Sequence, residues 1–316
     1  MTIRFGTRGS ILARWQTNWC VNLLKEKNID SKIVIIETSG DRVPDKSIAN
    51  IGAQGVFTKE IQSALLRHEI DVAVHSLKDL PTEPVAGLVL ASVLKRDSFR
   101  DAFLSHKATV IEELPKGSRI GTGSLRRKTQ IIYRFGNLFQ IDEIRGNIET
   151  RLHKLDQGEY NALILSEAGL VRLGLSERIC SFLELPFFLP AVGQGAIGLE
   201  IRLDDLHTAE QIAPLGDTPT FTAVLAERAM LQKLQGGCIA PIAALGRVEG
   251  EMLVLQGRIL SLDGKTMFET TLSTPISNDP NSLGIAVANE LVKMGADTIL
   301  DEIRQQRQFV LTESRM

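Results

Sequence analysis

Strand patterns and helix patterns alternate along the first 76 residues, and this alternation constrains the fold more than any other feature. Apolar strand patterns occupy residues 3–7, 32–38 and 71–76. Helical periodicity occupies residues 11–27, with Ser10 as the predicted N-cap, and residues 58–69, with Thr58 as the predicted N-cap. A strand–helix–strand–helix–strand order with almost continuous apolar strands predicts a mostly parallel sheet covered by helices.

Polar side chains come directly after the first and third predicted strands. Arg8 and Ser10 follow the first strand, and Lys78 and Asp79 follow the third. Ligands of such sheets bind at the carboxyl ends of the strands, so these four residues are candidates for a binding site.

The carboxylate of Asp79 is the candidate catalytic group in this set. At such a position it can protonate a leaving group and then stabilise a developing cation. The alternative is an ordinary surface Lys–Asp pair. His75 has apolar neighbours and is interpreted as a hydrogen-bonded core histidine.

Two further units follow along the chain. From about residue 101 the strand–turn–helix theme repeats, with helices predicted at 125–135 and at 148–157, the second capped by Asn147. The Pro- and Gly-rich segment 189–202 is interpreted as a crossing between units rather than an element of either. From Thr218 a helix, hairpin-like strands around "VEGEM" and "LDGKT" and a long helix from about Asn281 predict an α+β unit with an antiparallel sheet.

Basic residues are concentrated in the second unit. Residues 119–151 contain six arginines and one lysine against three acidic residues, in a chain whose net charge is −2. Arg126 and Arg127 lie in the first turn of a predicted helix, where cations are unfavourable and anions bind well. A solvated basic face is one explanation. Because Arg145 and Arg151 follow other strand–turn–helix junctions, we favour a site for an anionic ligand.

The cysteines indicate a reduced protein. Cys20, Cys180 and Cys238 are far apart, without CxxC or metal-ligand spacing, so a disulfide framework and a zinc site are not expected. Cys20 and Cys180 are predicted to lie in the core, whereas Cys238 follows two glycines in "LQGGCIAP". Arg4 and Arg8 stand where a signal peptide would be apolar, so we expect a cytoplasmic protein. The small net charge predicts no nucleic-acid or membrane partner.

Ordered motifs along nearly the whole chain resemble the porphobilinogen deaminase family, also called hydroxymethylbilane synthases. The matching stretches are "GTRGSILARWQ", "VFTKEIQSALL", "DVAVHSLKDLPTE", "GTGSLRRKTQI", "IRGNIETRLHKLDQGEYNALIL", "AGLVRLGL", "LPAVGQGAIGLEIR" and "AERAMLQKLQGGCIAPIAALG". The resemblance implies an α/β fold with two type II periplasmic-binding-protein-like domains and a C-terminal α+β domain with a small antiparallel sheet. The implied ranges are 1–97 plus 196–214, 98–195, and 217–316.

The resemblance also implies an activity and a cofactor. The family joins four porphobilinogen molecules head to tail, with loss of ammonia, and releases the linear tetrapyrrole hydroxymethylbilane. Growth starts from a dipyrromethane cofactor, which is held through a thioether by the cysteine that matches Cys238. The glycines at 236 and 237 would give this tether conformational freedom. The family is typically monomeric, and no metal is implied.

Site residues follow from the same motifs. Asp79 would be catalytic, and Cys238 would carry the cofactor. The residues that would bind the cofactor are Ser76, Lys78, Thr122, Ser124, Arg126 and Arg127. The residues that would bind substrate are Arg8, Ser10, Arg145, Arg151, Arg172 and Gln194.

Two departures and two rival functions complete the expectations. Gln54 stands where the family commonly has lysine, and Gly123 stands where it commonly has serine. A carboxylate-binding solute receptor or the effector domain of a regulator shares the two-domain fold, and fold alone does not separate these functions. A cysteine-dependent hydrolase is the weaker rival, because nothing in the spacing pairs Cys238 with a histidine.

Overall fold

The computed structural model describes residues 2–37, 58–235 and 240–313. Gln54 and Cys238 lie outside the described residues. The β-strands are β1 (Ile3–Thr7), β2 (Ser31–Ile35), β3 (Val72–Ser76), β4 (Leu88–Val93), β5 (Asp101–Ser105), β6 (Arg119–Gly121), β7 (Gln140–Asp142), β8 (Ala162–Ser166), β9 (Ser181–Leu183), β10 (Ile197–Arg202), β11 (Ile242–Glu249), β12 (Met252–Leu260) and β13 (Met267–Pro275). The α-helices are α1 (Ile11–Lys25), α2 (Lys59–Leu66), α3 (Leu125–Phe135), α4 (Ile148–Asp156), α5 (Glu167–Arg172), α6 (Leu206–Ile212), α7 (Thr218–Leu234), α8 (Pro280–Lys293) and α9 (Ala296–Glu313).

Local sequence explains where several helices begin. The Ser10 hydroxyl accepts a hydrogen bond from the Ala13 N–H at the start of α1, and the Ser124 hydroxyl does the same for the Arg127 N–H in α3. The Asn147 side chain caps α4 in the same way. These caps satisfy amide groups that the first turn of a helix leaves without partners. The caps predicted at Ser10 and Asn147 are therefore confirmed, whereas the Ser124 cap was not predicted. Thr58 stands at the predicted N-cap position of α2 but makes no side-chain capping hydrogen bond.

The first two sheets share one topology. The first has the order β2-β1-β3-β10-β4, and the second has the order β7-β6-β8-β5-β9. In each, four strands run in one direction, and the strand arriving from the other unit lies antiparallel between the third and the last. This repeated order confirms two type II periplasmic-binding-protein-like domains. The exact domain ranges stay a prediction.

The interpretation of segment 189–202 as a crossing between units is wrong for its last part. Its last part, Ile197–Arg202, is not a crossing but the strand β10, and all six residues are buried inside the first sheet. A strand covered on both faces shows no polar alternation, and its neighbouring glycines resemble a turn. Because β10 runs antiparallel to β3 and β4, the first sheet is mixed, while its other four strands run in one direction as predicted for a mostly parallel sheet.

Two crossovers join these domains, one before β5 and one before β10, and buried polar contacts hold them together. The Arg172 guanidinium donates to the Asp97 carboxylate of the first crossover at 2.9 Å and to the Gly195 carbonyl of the second at 2.7 Å. The fully buried Glu227 carboxylate in α7 accepts from the Arg96 guanidinium and from the Gly193 N–H, both at 2.7 Å. The third domain therefore contacts both crossovers through one side chain.

The third domain has the antiparallel order β11-β12-β13, with turns at the predicted "VEGEM" and "LDGKT" positions. Helices α7 and α8 pack on this sheet and against each other at close range. A Cβ atom at Gly284 of α8 would overlap the Ala226 carbonyl oxygen and lie 2.8 Å from the Met230 nitrogen in α7. Glycine at this position permits the close approach of the two backbones.

Replacing Gly284 with alanine should therefore destabilise the third domain. The added methyl group would push α8 away from α7, and overpacking of this kind costs about 1–3 kcal/mol. Urea unfolding measures the change. Asn289→Ala, an exposed change on the same helix, should stay within about 0.5 kcal/mol of the parent. Equal stability of the Gly284→Ala variant and the parent would contradict the close packing of these helices.

Candidate active site

A cleft between the three domains holds most of the predicted site residues. Its main cavity has a volume of about 340 Å³, within the range of small-molecule sites. Charged and polar side chains from all three domains line it: Lys78, Asp79, Ser124, Arg126, Arg127, Arg151, Gln194 and Arg228. Five of these are basic and one is acidic, so the cavity suits a ligand with several carboxylates.

A smaller cavity adjoins the main one at Asp79, which lines both. Its volume is about 90 Å³, and Arg8, Ser10 and Ser76 contribute to its lining. The carboxyl ends of β1 and β3 supply these residues, as the sequence predicted. Asp79 is therefore accessible from both cavities.

The loop after β3 presents Lys78 and Asp79 to the cleft. It makes a 3₁₀ turn at Leu77–Asp79, in which Leu77 is buried and Asp79 is exposed. Lys78 faces the cleft, yet protein surrounds most of its length. This burial, together with the Arg127 cation, lowers the pKa of Lys78 to about 8, and the Asp79 carboxylate opposes the shift only in part. The amine is therefore charged at neutral pH and loses its charge a little above it.

Asp101 pairs with both arginines at the start of α3, and the sequence analysis did not identify it. Its carboxylate accepts from Arg126 at 2.8 Å, from Arg127 at 2.8 Å and from the Gln194 amide at 2.8 Å. Burial alone would raise the pKa of Asp101, but the two guanidiniums outweigh it and hold that pKa well below its usual range. The only sequence indication was a lone acidic residue opening the apolar strand "DAFLS".

This pairing changes the explanation for two cations at a helix N-terminus. The sequence analysis attributed them to a bound anion, whereas Asp101 supplies an internal one. The Asp101 carboxylate offsets one of the two guanidinium charges, so Asp101, Arg126 and Arg127 together carry a net charge of +1. Arg126 Nε and Gln194 Oε1 are buried with no hydrogen-bond partner among the described residues, and both residues line the main cavity. A buried donor and acceptor without partners fit a polar ligand.

Other predicted site residues lie near the group formed by Asp101, Arg126 and Arg127 or farther from it, and do not take part in it. Thr122 is buried, and its hydroxyl accepts from the Ser124 N–H at 3.3 Å, which shapes the turn before α3. Arg145 is half-buried, and its Nη2 lies 2.6 Å from the Glu143 carboxylate. Arg145 and Arg172, the last residue of α5, are outside the linings of both described cavities. Their proposed ligand contacts stay predictions.

Core positions were predicted for His75, Cys20 and Cys180, and the first two are confirmed. His75 is buried, and its Nε2 lies 3.0 Å from the Glu200 carboxylate, which confirms a core histidine. Cys20 is buried as predicted, whereas Cys180 is half-buried at the edge of a core cluster. A Cβ atom at Gly123 would lie 2.9 Å from the Ile144 carbonyl oxygen, so a serine there would require a shift of the neighbouring backbone.

The sequence of residues 3–210 matches the family model described as "Porphobilinogen deaminase, dipyromethane cofactor binding domain". Residues 221–293 match the model described as "Porphobilinogen deaminase, C-terminal domain". The chain belongs to the porphobilinogen deaminase family. Among relatives of that name, the Trichlorobacter lovleyi protein is 45% identical over 306 residues, covering 96% of this chain and 97% of the relative. The Geobacter sulfurreducens protein is 44% identical, covering 96% and 95%.

Membership in the porphobilinogen deaminase family establishes the class of reaction. These enzymes are transferases of tetrapyrrole synthesis that act on porphobilinogen, and the matched model names the dipyrromethane cofactor. Among solved structures, a periplasmic substrate-binding protein of an ABC transporter from Coxiella burnetii is 12% identical with a TM-score of 0.45, covering 72% of this chain and 97% of that one. That score is too low to bear on function.

None of the helices described is long and apolar enough to cross a membrane. Within the same parts of the chain, His, Cys, Asp and Glu side chains form no group that would hold a metal ion.

Replacing Asp101 with asparagine should destabilise the porphobilinogen deaminase fold strongly. The change leaves two buried guanidiniums without a counter-charge, and breaking a buried ion pair from one side costs about 3–5 kcal/mol. Chemical unfolding at pH 7 measures the loss. The matched control is Glu143→Gln, which removes the exposed partner of Arg145 and should cost less than about 1 kcal/mol. A loss of similar size in the two variants would show that charge pairing at Asp101 is not what holds these arginines.

Proposed function

We propose that this chain joins four porphobilinogen molecules head to tail on a dipyrromethane held by Cys238 as a thioether, and releases hydroxymethylbilane. Each extension forms one carbon–carbon bond, breaks one carbon–nitrogen bond and releases ammonia. The observation that carries the proposal is the Asp79 carboxylate in a cavity whose other charged lining residues are all basic. Of these, Lys78, Arg126, Arg127 and Arg151 are the proposed partners of ligand carboxylates.

The basic side chains suit the acetate and propionate groups of the substrate. Guanidinium groups bind carboxylates through two parallel hydrogen bonds, which fixes orientation as well as position. Arg151 lines the main cavity and Arg8 lines the smaller one, so carboxylates can be bound on both sides of Asp79. The arginines therefore orient the pyrrole ring while leaving the reacting carbon near the carboxylate.

Asp79 supplies the charge that the reaction needs. Loss of ammonia from porphobilinogen leaves a cationic azafulvene, and a fixed carboxylate lowers the energy of the transition state that leads to it. The same group can accept a proton from the pyrrole carbon after coupling. Its exposure to the cleft makes it accessible to each incoming substrate.

The residues around the main cavity fit the dipyrromethane. The group carries carboxylates, for which Arg126, Arg127 and Lys78 are suitable partners, and Arg126 Nε and Gln194 Oε1 are buried without partners among the described residues. Ser124 would add a hydroxyl from the turn before α3. When bound, the dipyrromethane supplies the pyrrole carbon at which the chain begins to grow.

Attachment through Cys238 is supported by its neighbours on both sides. Leu231, in the last turns of α7, lines the main cavity, and so do Ala240 and Ile242 at the start of β11. Cys238 is two residues from Ala240, and two residues of extended chain span at most about 7 Å. A thioether needs a free thiol, which agrees with the reduced, cytoplasmic setting predicted from the cysteines. We also expect a monomer without nucleic-acid or membrane partners.

Cys238→Ala and Asp79→Asn should fail in different ways. Without the thiol, the alanine variant should have the mass of the bare polypeptide and no activity. The asparagine variant should retain the two-ring adduct when supplied with preassembled tetrapyrrole, but it should release ammonia about 10²–10³ times more slowly, because the stabilising charge is lost. Intact mass and single-turnover ammonia release, measured side by side, test both expectations.

Cys180→Ser is the matched control for the thiol. Cys180 is half-buried in the second domain, so its variant should carry the same adduct as the parent. An adduct on the Cys238→Ala variant would refute the attachment, and ammonia release at the parent rate by Asp79→Asn would refute the catalytic role. A parent protein with bare polypeptide mass that binds carboxylates without releasing ammonia would instead favour the solute-receptor alternative.

The pKa of Lys78 predicts how cofactor binding depends on pH. That pKa is lowered to about 8, so the amine loses its charge as the pH rises through this value. In the Cys238→Ala protein, which cannot form the adduct, the Kd for preassembled tetrapyrrole should therefore rise about tenfold between pH 7.5 and roughly pH 9.5, since a charge-assisted hydrogen bond is lost. With Lys78→Arg added, the side chain stays charged over this range, and the Kd should change little. Equilibrium binding across the range tests this, and an equal rise in both proteins would assign the effect to another group.

A further inference from the structure

A side chain of the third domain holds the backbone directly after Asp79. Arg228 lies on α7, and its Nη1 donates to the Leu80 carbonyl at 2.9 Å while its Nη2 donates to the Pro81 carbonyl at 2.7 Å. Leu80 and Pro81 are the two residues that follow Asp79. One planar guanidinium thus spans two successive carbonyl groups, which fixes their orientation as well as their position.

The same face of α7 also packs against this loop. Val224 is buried in one apolar cluster with Leu77 and Leu80, and Phe221 packs against that cluster. Residues 221, 224 and 228 are spaced by three and four, which places them on one side of a helix. The loop that carries Lys78 and Asp79 is therefore supported by α7 through both apolar packing and hydrogen bonds.

Hydrogen bonds to the Leu80 and Pro81 carbonyl groups are important for holding this loop, because the loop contains a proline. Pro81 has no N–H group, so it cannot be held by donating a hydrogen bond. The Leu77 N–H donates to the Ala196 carbonyl at 3.0 Å before the turn, and the Leu80 N–H donates back to the Leu77 carbonyl at 3.2 Å within it. Beyond the turn, the contacts from Arg228 tie the loop to a separate domain.

Along the chain, helix α7 also precedes Cys238, the residue proposed to hold the cofactor. From Arg228 to its last residue, Leu234, the helix advances by about 9 Å at a rise of about 1.5 Å per residue, and Cys238 follows four residues later. We infer that Arg228 is a positioning residue, which sets Asp79 relative to the reacting carbon through the carbonyl groups of Leu80 and Pro81. This inference rests on the catalytic role proposed for Asp79.

Two substitutions of Arg228 test the inference in the adduct-bearing enzyme. Arg228→Met keeps the apolar length but removes both donors, so Asp79 is held less firmly. Single-turnover ammonia release should slow about 10- to 100-fold, as small misplacements of a reacting group do, while the KM for porphobilinogen and the adduct mass stay at parent values. In Arg228→Lys, the single ammonium group can donate to only one of the two carbonyl groups at a time. This variant should therefore release ammonia faster than Arg228→Met but more slowly than the parent.

Leu283→Ala is the control for a purely structural effect. Leu283 is buried in the core of the third domain on α8, and it belongs to a different apolar cluster from the loop. When Leu283→Ala and Arg228→Met are compared at the same loss of unfolding free energy, Leu283→Ala should release ammonia at the parent rate. Equal slowing in Leu283→Ala and Arg228→Met would overturn the inference, because the effect would then follow stability alone.

Three other results would also overturn it. A higher KM with an unchanged single-turnover rate would make Arg228 a substrate-binding residue. Loss of the adduct from Arg228→Met would assign it to cofactor assembly. If Arg228→Met releases ammonia at the parent rate while Asp79→Asn releases it slowly, only the positioning role of Arg228 is refuted, and the proposed function is retained. Failure of the proposed function is recognised separately, by a parent protein without adduct or by an Asp79→Asn variant of normal rate.

Discussion

The Asp101 carboxylate accepts hydrogen bonds from the Arg126 and Arg127 guanidiniums and from the Gln194 side-chain amide. Asp101 stands at the end of the first crossover, Gln194 lies in the second, and the arginines open α3. Two buried guanidiniums without a counter-charge would be unstable, and so would a buried carboxylate without cations. Their pairing therefore holds a positively charged surface inside the protein and, at the same time, ties both crossovers to the second domain.

The third domain is fastened to the other two by contacts of the same kind. Glu227 accepts from Arg96 and from the Gly193 N–H, and Arg258 of β12 donates to the Phe187 carbonyl at 2.7 Å and to Gln130 of α3 at 2.8 Å. Charged hydrogen bonds at buried positions require defined geometry, whereas apolar surfaces can slide. This explains how a cleft built from three domains can hold its side chains in a defined arrangement.

The cleft combines two opposite electrostatic requirements. Carboxylate groups of the substrate and product need cations, whereas the carbon that loses ammonia develops positive charge and needs an anion. Under the proposed function, Arg8, Arg151 and Lys78, which line the two cavities, would address the first requirement, and Asp79 would address the second. The low net charge of the chain is consistent with this arrangement, because the positive charge is gathered locally rather than spread over the surface.

Local features were predictable from sequence because neighbouring residues decide them. Strand β1 and helix α3 have the predicted bounds, and Ser10 and Asn147 cap helices as predicted, since a cap acts within about one turn. The placement of Lys78 and Asp79 at the edge of the first sheet also followed, because parallel strands end at one edge. The family motifs added the chemistry that these local patterns could not specify.

Tertiary structure decided which distant residues meet. Asp101 is 93 residues from Gln194, and Arg228 is 148 residues from Leu80, so no local pattern could pair them. Strand β10 was misinterpreted for a related reason, because burial on both faces depends on neighbours supplied by the rest of the sheet. Sequence alone thus determined most of the helices and strands, two of the predicted caps and most of the candidate residues. Only the packed fold decided their partners, since burial and charge pairing depend on all three domains together.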